Sequence, residues 1–419
     1  MRKFIFVCFY LFLNISGATE LTLDECIDKT LKNHPDIKKA ALSVFEKKSL
    51  VDIAKADYLP QINVSAQYNP IDTFVMPRNN QFQTIEDDSW RVDATLNQKI
   101  YDFSKTTSTI NAYKKGENIA NLSLDDAKAL LVYNVKNQYN LALLKTKEIE
   151  IRKKDLQTKE ELYKQAKALV AQGLRTQADE TSILSELYIA QDNLAIANAN
   201  FAKALTTLSL YIGEKIDTDT QLKETTPIKN QNTANAQLLL QEVLEKNFSL
   251  KSSQEEIQRD ALLYEAAKAG HYGSIDAVAS YTHQETLNEY DTSLVGVILS
   301  IPLYSGGRIS AQTQQAKISN EMAKESYNSQ KLLLQEEVEN LAIDLQRYIY
   351  TIKAKEALVV SSNATREIVE GRYKEGLSTY IEVLDALSTY LFAKLGLLEA
   401  KFDITNIINR LDYLQGQTQ

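Results

Sequence analysis

The second half of the chain repeats the first at a spacing of 203 residues. The segment from Leu96 to Lys105 reads LNQKIYDFSK, and the segment from Leu299 to Arg308 reads LSIPLYSGGR. The same spacing separates Gly173-Leu174 from Gly376-Leu377. Because self-similarity at a fixed spacing is the signature of a repeated structural unit, we interpret the chain as two copies of one unit.

Proline is scarce, and its absence from two long stretches predicts long helices. None of the six prolines lies between Pro77 and Pro227 or after Pro302, and a proline costs about 3 kcal/mol in a helix interior. Each copy is predicted to contain a helical hairpin, over about residues 104–212 and 307–415. Apolar residues recur there at coiled-coil spacings of four and three, as in Leu334, Val338, Leu341, Leu345, Tyr348 and Ile352.

Alternation of apolar and polar residues predicts two strands in each copy. They cover about residues 61–69, 89–101, 274–282 and 292–302. Such strands suit a transmembrane barrel, which needs about 9–11 residues per crossing, or a soluble antiparallel sheet with one solvated face. Because four strands cannot close a barrel, a barrel requires several copies, and the pattern does not choose between a dimer and a trimer.

The boundaries of the copies follow from composition. Residues 1–18 are expected to be a secretory signal peptide, with two basic residues, an apolar stretch and a small-residue cleavage site. The copies are assigned to residues 19–213 and 237–416, with a polar connector at 214–236 and a tail at 417–419. The removal of Cys8 with the signal peptide would leave Cys26 alone, so no internal disulfide is expected.

Several classes of function are disfavoured. The three histidines show no metal-ligand spacing, and the chain carries no motif of a nucleophilic or phosphate-binding enzyme, so we expect no enzyme, cofactor or metal. The formal net charge of −8 argues against a nucleic-acid partner. A secreted or periplasmic coiled-coil protein without a pore, either structural or an adaptor, remains as an alternative.

Four short segments resemble the TolC-type outer-membrane efflux channels. They are the strand-to-helix junctions Gln98–Lys105 and Ile301–Arg308, and the helix turns Gln172–Thr176 and Glu375–Thr379. The resemblance implies a homotrimer whose four strands per protomer complete a twelve-stranded barrel in outer-membrane lipid, continued by a periplasmic α-helical tunnel. It also implies a Gram-negative outer-membrane location and a role in efflux or type I secretion. The implied partners are a periplasmic adaptor and an inner-membrane efflux pump or ABC exporter.

The resemblance also implies a gate at the periplasmic end of the helices. Glu382 and Asp385 match the acidic ring of that gate, although Glu382 also fits a capping box with Thr379. Tyr373 and Asp179 match residues whose link helps to hold the tip shut. Ser378 stands where the best-known members have an arginine in this lock, which puts an arginine-based lock in doubt.

The two turns and the strand connections complete the predicted sites. Residues 69–89 and 282–291 are expected to be loops outside the cell, the longer one being a candidate lid over the pore mouth. The turns are expected to dock the adaptor, with glycine helix ends as the alternative. The predicted docking residues are Gly173, Leu174, Thr176, Gly376, Leu377 and Thr379.

Overall fold

The computed structural model describes residues 20–224 and 236–418. The predicted signal peptide at 1–18 lies outside the described residues, as do positions 225–235 of the predicted connector. The elements are β1 Glu20–Leu21, α1 Leu23–Asn33, α2 Pro35–Ala56, β2 Gln61–Arg78, β3 Gln81–Tyr101, α3 Lys105–Ala171, α4 Gln177–Ile212, β4 Gln221–Leu222, α5 Ala236–Lys246, α6 Phe248–Ala269, β5 Ser274–Glu285, β6 Glu289–Ser300, α7 Arg308–Lys374 and α8 Tyr380–Leu414.

The longest helices are α3 and α7, and both have 67 residues. At a rise of 1.5 Å per residue, each is about 100 Å long. Their first residues, Lys105 and Arg308, are 203 positions apart, as are their last, Ala171 and Lys374. The duplication therefore preserves the length of the long helix to the residue. Within the described residues, no helix is both long and apolar enough to cross a membrane.

The chain divides into two units. The helical unit contains the described parts of Met1–Ile37, Ala127–Lys246 and Gln335–Gln419, and the sheet unit contains Lys38–Asp126 and Asn247–Leu334. In the helical unit, a buried cluster packs Cys26 and Ile27 of α1 against α3 and α4. At its centre the hydroxyl of Tyr139 lies 2.8 Å from the carbonyl oxygen of Leu21 and 2.7 Å from that of Lys223, and its one proton is shared between these two acceptors. These bonds tie the short parallel pair of β1 and β4 to the long helix.

The sheet unit contains a four-stranded antiparallel sheet in the order β2-β3-β5-β6. The register places an apolar row across all four strands. This row runs through Ile62, Leu96, Ala279 and Val295 on the apolar face. The opposite face is mainly polar on β2, β3 and β5, for example at Ser65, Asp93 and Thr282, whereas β6 also places Leu294 and Ile298 there.

The apolar face of the sheet is exposed in the single chain. Val295 and Val64 retain 88% and 72% of their accessible surface. A soluble sheet would pack such a face against its own core. The composition of this face therefore suits an apolar environment. Other exposed apolar side chains of the same sheet are Ile62, Tyr68, Val297 and Leu299.

The strand connections are shorter than predicted, which corrects the loop assignment. β2 continues to Arg78 and β3 begins at Gln81, so that most of 69–89 is a paired hairpin. Asn79 and Asn80 turn the chain with φ of 51° and 64°, the left-handed conformation of a two-residue hairpin turn that asparagine tolerates. In the second copy, β5 reaches Glu285 and β6 begins at Glu289, leaving 286–288 between them.

A bulge marks where the longer hairpin departs from regular pairing. The register shifts between Asn69 and Asp72. The buried Ser89 hydroxyl fills this point, accepting from the Asn69 amide at 3.2 Å and donating to the Asp72 carboxylate at 2.8 Å. The polar residues that predicted a loop here instead form the side-chain hydrogen bonds of a β-bulge.

Gly273, between α6 and β5, is expected to be irreplaceable. Its φ is +87°, and a Cβ at this position would overlap the carbonyl oxygen of Ser300. We expect Gly273→Ala to lower the melting temperature of the detergent-purified protein, measured by circular dichroism. Gly116→Ala is the control, because nothing lies within 4 Å of a Cβ there, and it should gain roughly 0.5–1 kcal/mol. Equal melting temperatures of the two variants would contradict the expectation.

Candidate functional site

The candidate site consists of two turns in the helical unit. The first tip turn, residues 172–176, joins α3 to α4, and the second tip turn, residues 375–379, joins α7 to α8. Both long helices end with the same hydrogen-bond pattern. Gly173 N–H donates to the carbonyl of Val170 and Leu174 N–H to that of Leu169, both at 2.9 Å. This is a Schellman motif, and Gly173 has the left-handed φ of +73° that it uses.

The second tip turn reproduces this backbone. Gly376 N–H donates to the carbonyl of Tyr373 at 3.0 Å and Leu377 N–H to that of Arg372 at 2.8 Å. The returning helices also begin alike, each with a capping box, in which a threonine hydroxyl and an acidic side chain satisfy each other's backbone N–H. The pairs are Thr176 with Asp179 and Thr379 with Glu382. The two predicted turns are therefore equivalent in backbone structure.

The predicted docking residues lie at the surface of the two turns. Leu174 and Leu377 retain 65% and 63% of their accessible surface. Gly173, Gly376 and the cap residues Thr176 and Thr379 are exposed as well. Each turn thus presents one apolar side chain to the surroundings, while its glycine and threonine shape the backbone.

The two predicted acidic-ring residues are exposed near the start of α8. The carboxylate of Glu382 accepts from the N–H of Thr379 at 3.3 Å and from the hydroxyl of Ser378. The Ser378 hydroxyl and the Thr379 N–H hold the pKa of Glu382 below its ordinary value. Asp385 lies three residues further along the helix, which places it on the same face. The capping role of Glu382 is observed, and the ring role stays a prediction.

Tyr373, a predicted lock residue, is buried rather than solvated. It is 2% exposed and packs in a cluster with Leu162 and Ile183 of the first hairpin and Val383 of the second. Its hydroxyl has no hydrogen-bond partner among the described residues. Burial raises the pKa of Tyr373, the Arg175 charge opposes this rise, and the Asp179 charge adds to it. No hydrogen bond joins the Tyr373 hydroxyl to Asp179 within the described chain.

Arg175 is a residue of this site that the sequence reasoning missed. Its guanidinium donates to the carbonyl oxygen of Ser378 at 3.2 Å and lies 5.2 Å from the centre of the Tyr373 ring. The repeat contained the signal, because Arg175 and Ser378 are equivalent positions 203 residues apart. The resemblance implies an arginine at position 378, whereas this chain has its arginine at the equivalent position of the other copy, 175.

Comparison with known proteins assigns the family. Residues 26–214 and 239–417 match the model of the outer membrane efflux protein family. The chain belongs to this family. TolC of Salmonella enteritidis is 24% identical over an alignment of 437 positions, gaps included, that covers 96% of this chain and 83% of that protein. The proteases secretion protein PrtF of Dickeya chrysanthemi is 22% identical over an alignment of 423 positions that covers 96% of this chain and 89% of that protein.

A solved structure of an outer membrane protein shows the same fold. The outer membrane protein VceC from Vibrio cholerae matches with a TM-score of 0.83 at 16% identity, covering 94% of this chain and 96% of that one. The predicted family, the mostly helical fold class and the outer-membrane location are thereby confirmed. The predicted function, an outer-membrane channel for efflux or type I secretion, is confirmed as well.

Tyr373→Phe tests whether the buried hydroxyl has a role in the tip. Since the hydroxyl has no partner in the described chain, its removal should leave the thermal stability equal or higher, because an unsatisfied buried polar group costs about 1–3 kcal/mol. Tyr373→Ala is the comparison, and the cavity should cost about 3–5 kcal/mol, the range for aromatic-to-alanine changes. Calorimetry of both variants measures this. A marked loss in Tyr373→Phe would reveal a hydroxyl partner in the assembled protein.

Proposed function

We propose that three copies of this chain form one conduit, in which their sheets close a twelve-stranded barrel and their helical hairpins line a gated periplasmic tunnel. The observation that carries the proposal is the sheet, which has an exposed apolar face, an opposite face that is mainly polar on β2, β3 and β5, and β2 and β6 as edges. In lipid an open edge leaves backbone groups unsatisfied at several kcal/mol each. Pairing β2 of one copy with β6 of the next removes both edges.

The names of the relatives indicate the class of inner-membrane partner. PrtF is named for the secretion of proteases, and others of the family are named as efflux proteins. We infer a periplasmic adaptor and an inner-membrane pump or ABC exporter as partners of this chain. The two tip turns support this inference, because each exposes a leucine on a rigid, capped backbone.

The acidic residues at the start of α8 are proposed to select cations. Three-fold repetition of Glu382 and Asp385 would concentrate carboxylates in one ring, which attracts cations and repels anions. Both side chains are exposed in the single chain and therefore available to such a ring.

Charge-neutral variants test the ring in planar lipid bilayers. We expect discrete, cation-preferring conductance from the purified protein, and a smaller cation preference in Glu382→Gln and Asp385→Asn. Glutamine still serves in a capping box, so the first variant separates charge from helix capping. Asp192→Asn, at an exposed site on α4, is the control and should keep the preference. Unchanged selectivity in both tip variants would refute the ring, and absence of any conductance in the parent protein would refute the pore.

The leucines of the tip turns provide a test of docking. We expect Leu174→Ser with Leu377→Ser to reduce the adaptor recovered by cross-linking in cells, because the change removes apolar surface that is already exposed and costs the fold little. Leu238→Ser on α5, where the leucine is 59% exposed, is the matched control and should leave recovery unchanged. Equal recovery from both variants would place docking elsewhere.

A further inference from the structure

Arg175 makes the polar contact between the two tip turns. It belongs to the first tip turn, while the carbonyl oxygen that accepts its hydrogen bond, at 3.2 Å, belongs to Ser378 of the second. Its guanidinium also lies over the ring of Tyr373, the residue two positions before the second tip turn. Across residues 20–224 and 236–418, no other hydrogen bond or ion pair joins these two turns.

The surroundings of Arg175 explain why an arginine performs this contact. A planar guanidinium can donate from its edge and stack with its face at the same time, which a lysine ammonium cannot. The ring beneath it is held in place by burial, with Tyr373 only 2% exposed. The hydroxyl of Ser378 donates a hydrogen bond to the carboxylate of Glu382. Ser378 therefore accepts the hydrogen bond through its backbone carbonyl oxygen, and the side chain that bridges the two tip turns is that of Arg175 in the first copy.

No carboxylate competes for the guanidinium. Asp179 lies one turn further along the first hairpin, but its side chain accepts from the N–H of Thr176 in the capping box. Within the described chain, Arg175 forms no ion pair. Its contacts are a neutral carbonyl and an aromatic ring, so parting the turns separates no salt bridge.

We propose that Arg175 is a positioning residue that clamps the first tip turn to the second within one protomer, through the Ser378 carbonyl and the Tyr373 ring, and thereby sets how readily the tip opens. This proposal rests on the gated conduit proposed above. It assigns control of the gate to a residue of the first copy that, within the described chain, forms no hydrogen bond or ion pair with either acidic-ring residue. An opening movement that separates the two hairpins must first release this arginine.

Arg372 provides a matched control. It also donates to a carbonyl in the second tip turn, that of Leu377 at 3.2 Å, but it lies on the same hairpin as its acceptor. Arg372→Ala therefore removes the same charge and one hydrogen bond of similar length without cutting a contact between hairpins. Because the Arg372 charge also lowers the pKa of Glu382, the two variants are compared by the time spent in each conductance state and not by ion selectivity.

The conductance experiment uses the full chain in planar lipid bilayers. Arg175→Ala should increase the time spent in the high-conductance state severalfold, and Arg175→Lys should be intermediate because it keeps a donor but loses the planar face. Arg372→Ala should keep the parent protein's time in the high-conductance state. Parent-like conductance of Arg175→Ala, or an equal increase in Arg372→Ala, would overturn the clamp.

Amide hydrogen exchange tests the clamp without requiring a pore. In the purified protein, Arg175→Ala should accelerate exchange in both tip turns, whereas Arg372→Ala should accelerate it in the second alone. Unchanged exchange of residues 375–379 in Arg175→Ala would overturn the clamp whatever the conductance shows. A parent protein that conducts no ions, with the expected exchange pattern, would instead overturn the proposed gated conduit.

Discussion

The rest of the structure depends on backbone hydrogen bonds that a single chain cannot complete. The four-stranded sheet ends in β2 and β6, and its apolar face is exposed. Lipid supplies no hydrogen-bond partner for a free edge, which is why the proposed conduit pairs the edges of neighbouring copies. The register then places polar rows such as Ser65, Asp93 and Thr282 on the opposite face. A channel is the function that this arrangement of faces and edges serves.

Duplication produced two tips with one backbone and different side chains. Both have a Schellman motif and a capping box, which are satisfied locally and so survive sequence divergence. At the equivalent positions 175 and 378, the copies carry arginine and serine. An identical pair could offer two arginines that repel, whereas the unlike pair forms a bond between a side chain and a carbonyl. The two turns are thus joined by a side chain of the first copy and a backbone carbonyl of the second.

The sequence was sufficient where the determinants are local or periodic. Proline-free stretches with a four-three spacing indicated the long helices, and glycine with threonine three residues later marked the turns. The hairpin over 69–89 was missed because its polar residues satisfy a bulge and its Asn79-Asn80 turn lacks glycine. The burial of Tyr373 and the reach of Arg175 depend on side chains about 200 residues apart in sequence. No local pattern encodes such contacts.

The equal lengths of α3 and α7 restrict how this protein can evolve. One inserted residue in α3 alone would advance its turn by about 1.5 Å and rotate it by roughly 100°, and Arg175 would lose its acceptor. Insertions and deletions are therefore tolerable only as matched events in both copies. Insertions of seven residues, which lengthen a helix by about 10 Å, would also keep the apolar residues of the coiled coil on the same helix face. The length that the long helices span should therefore change by the same discrete amount in both copies.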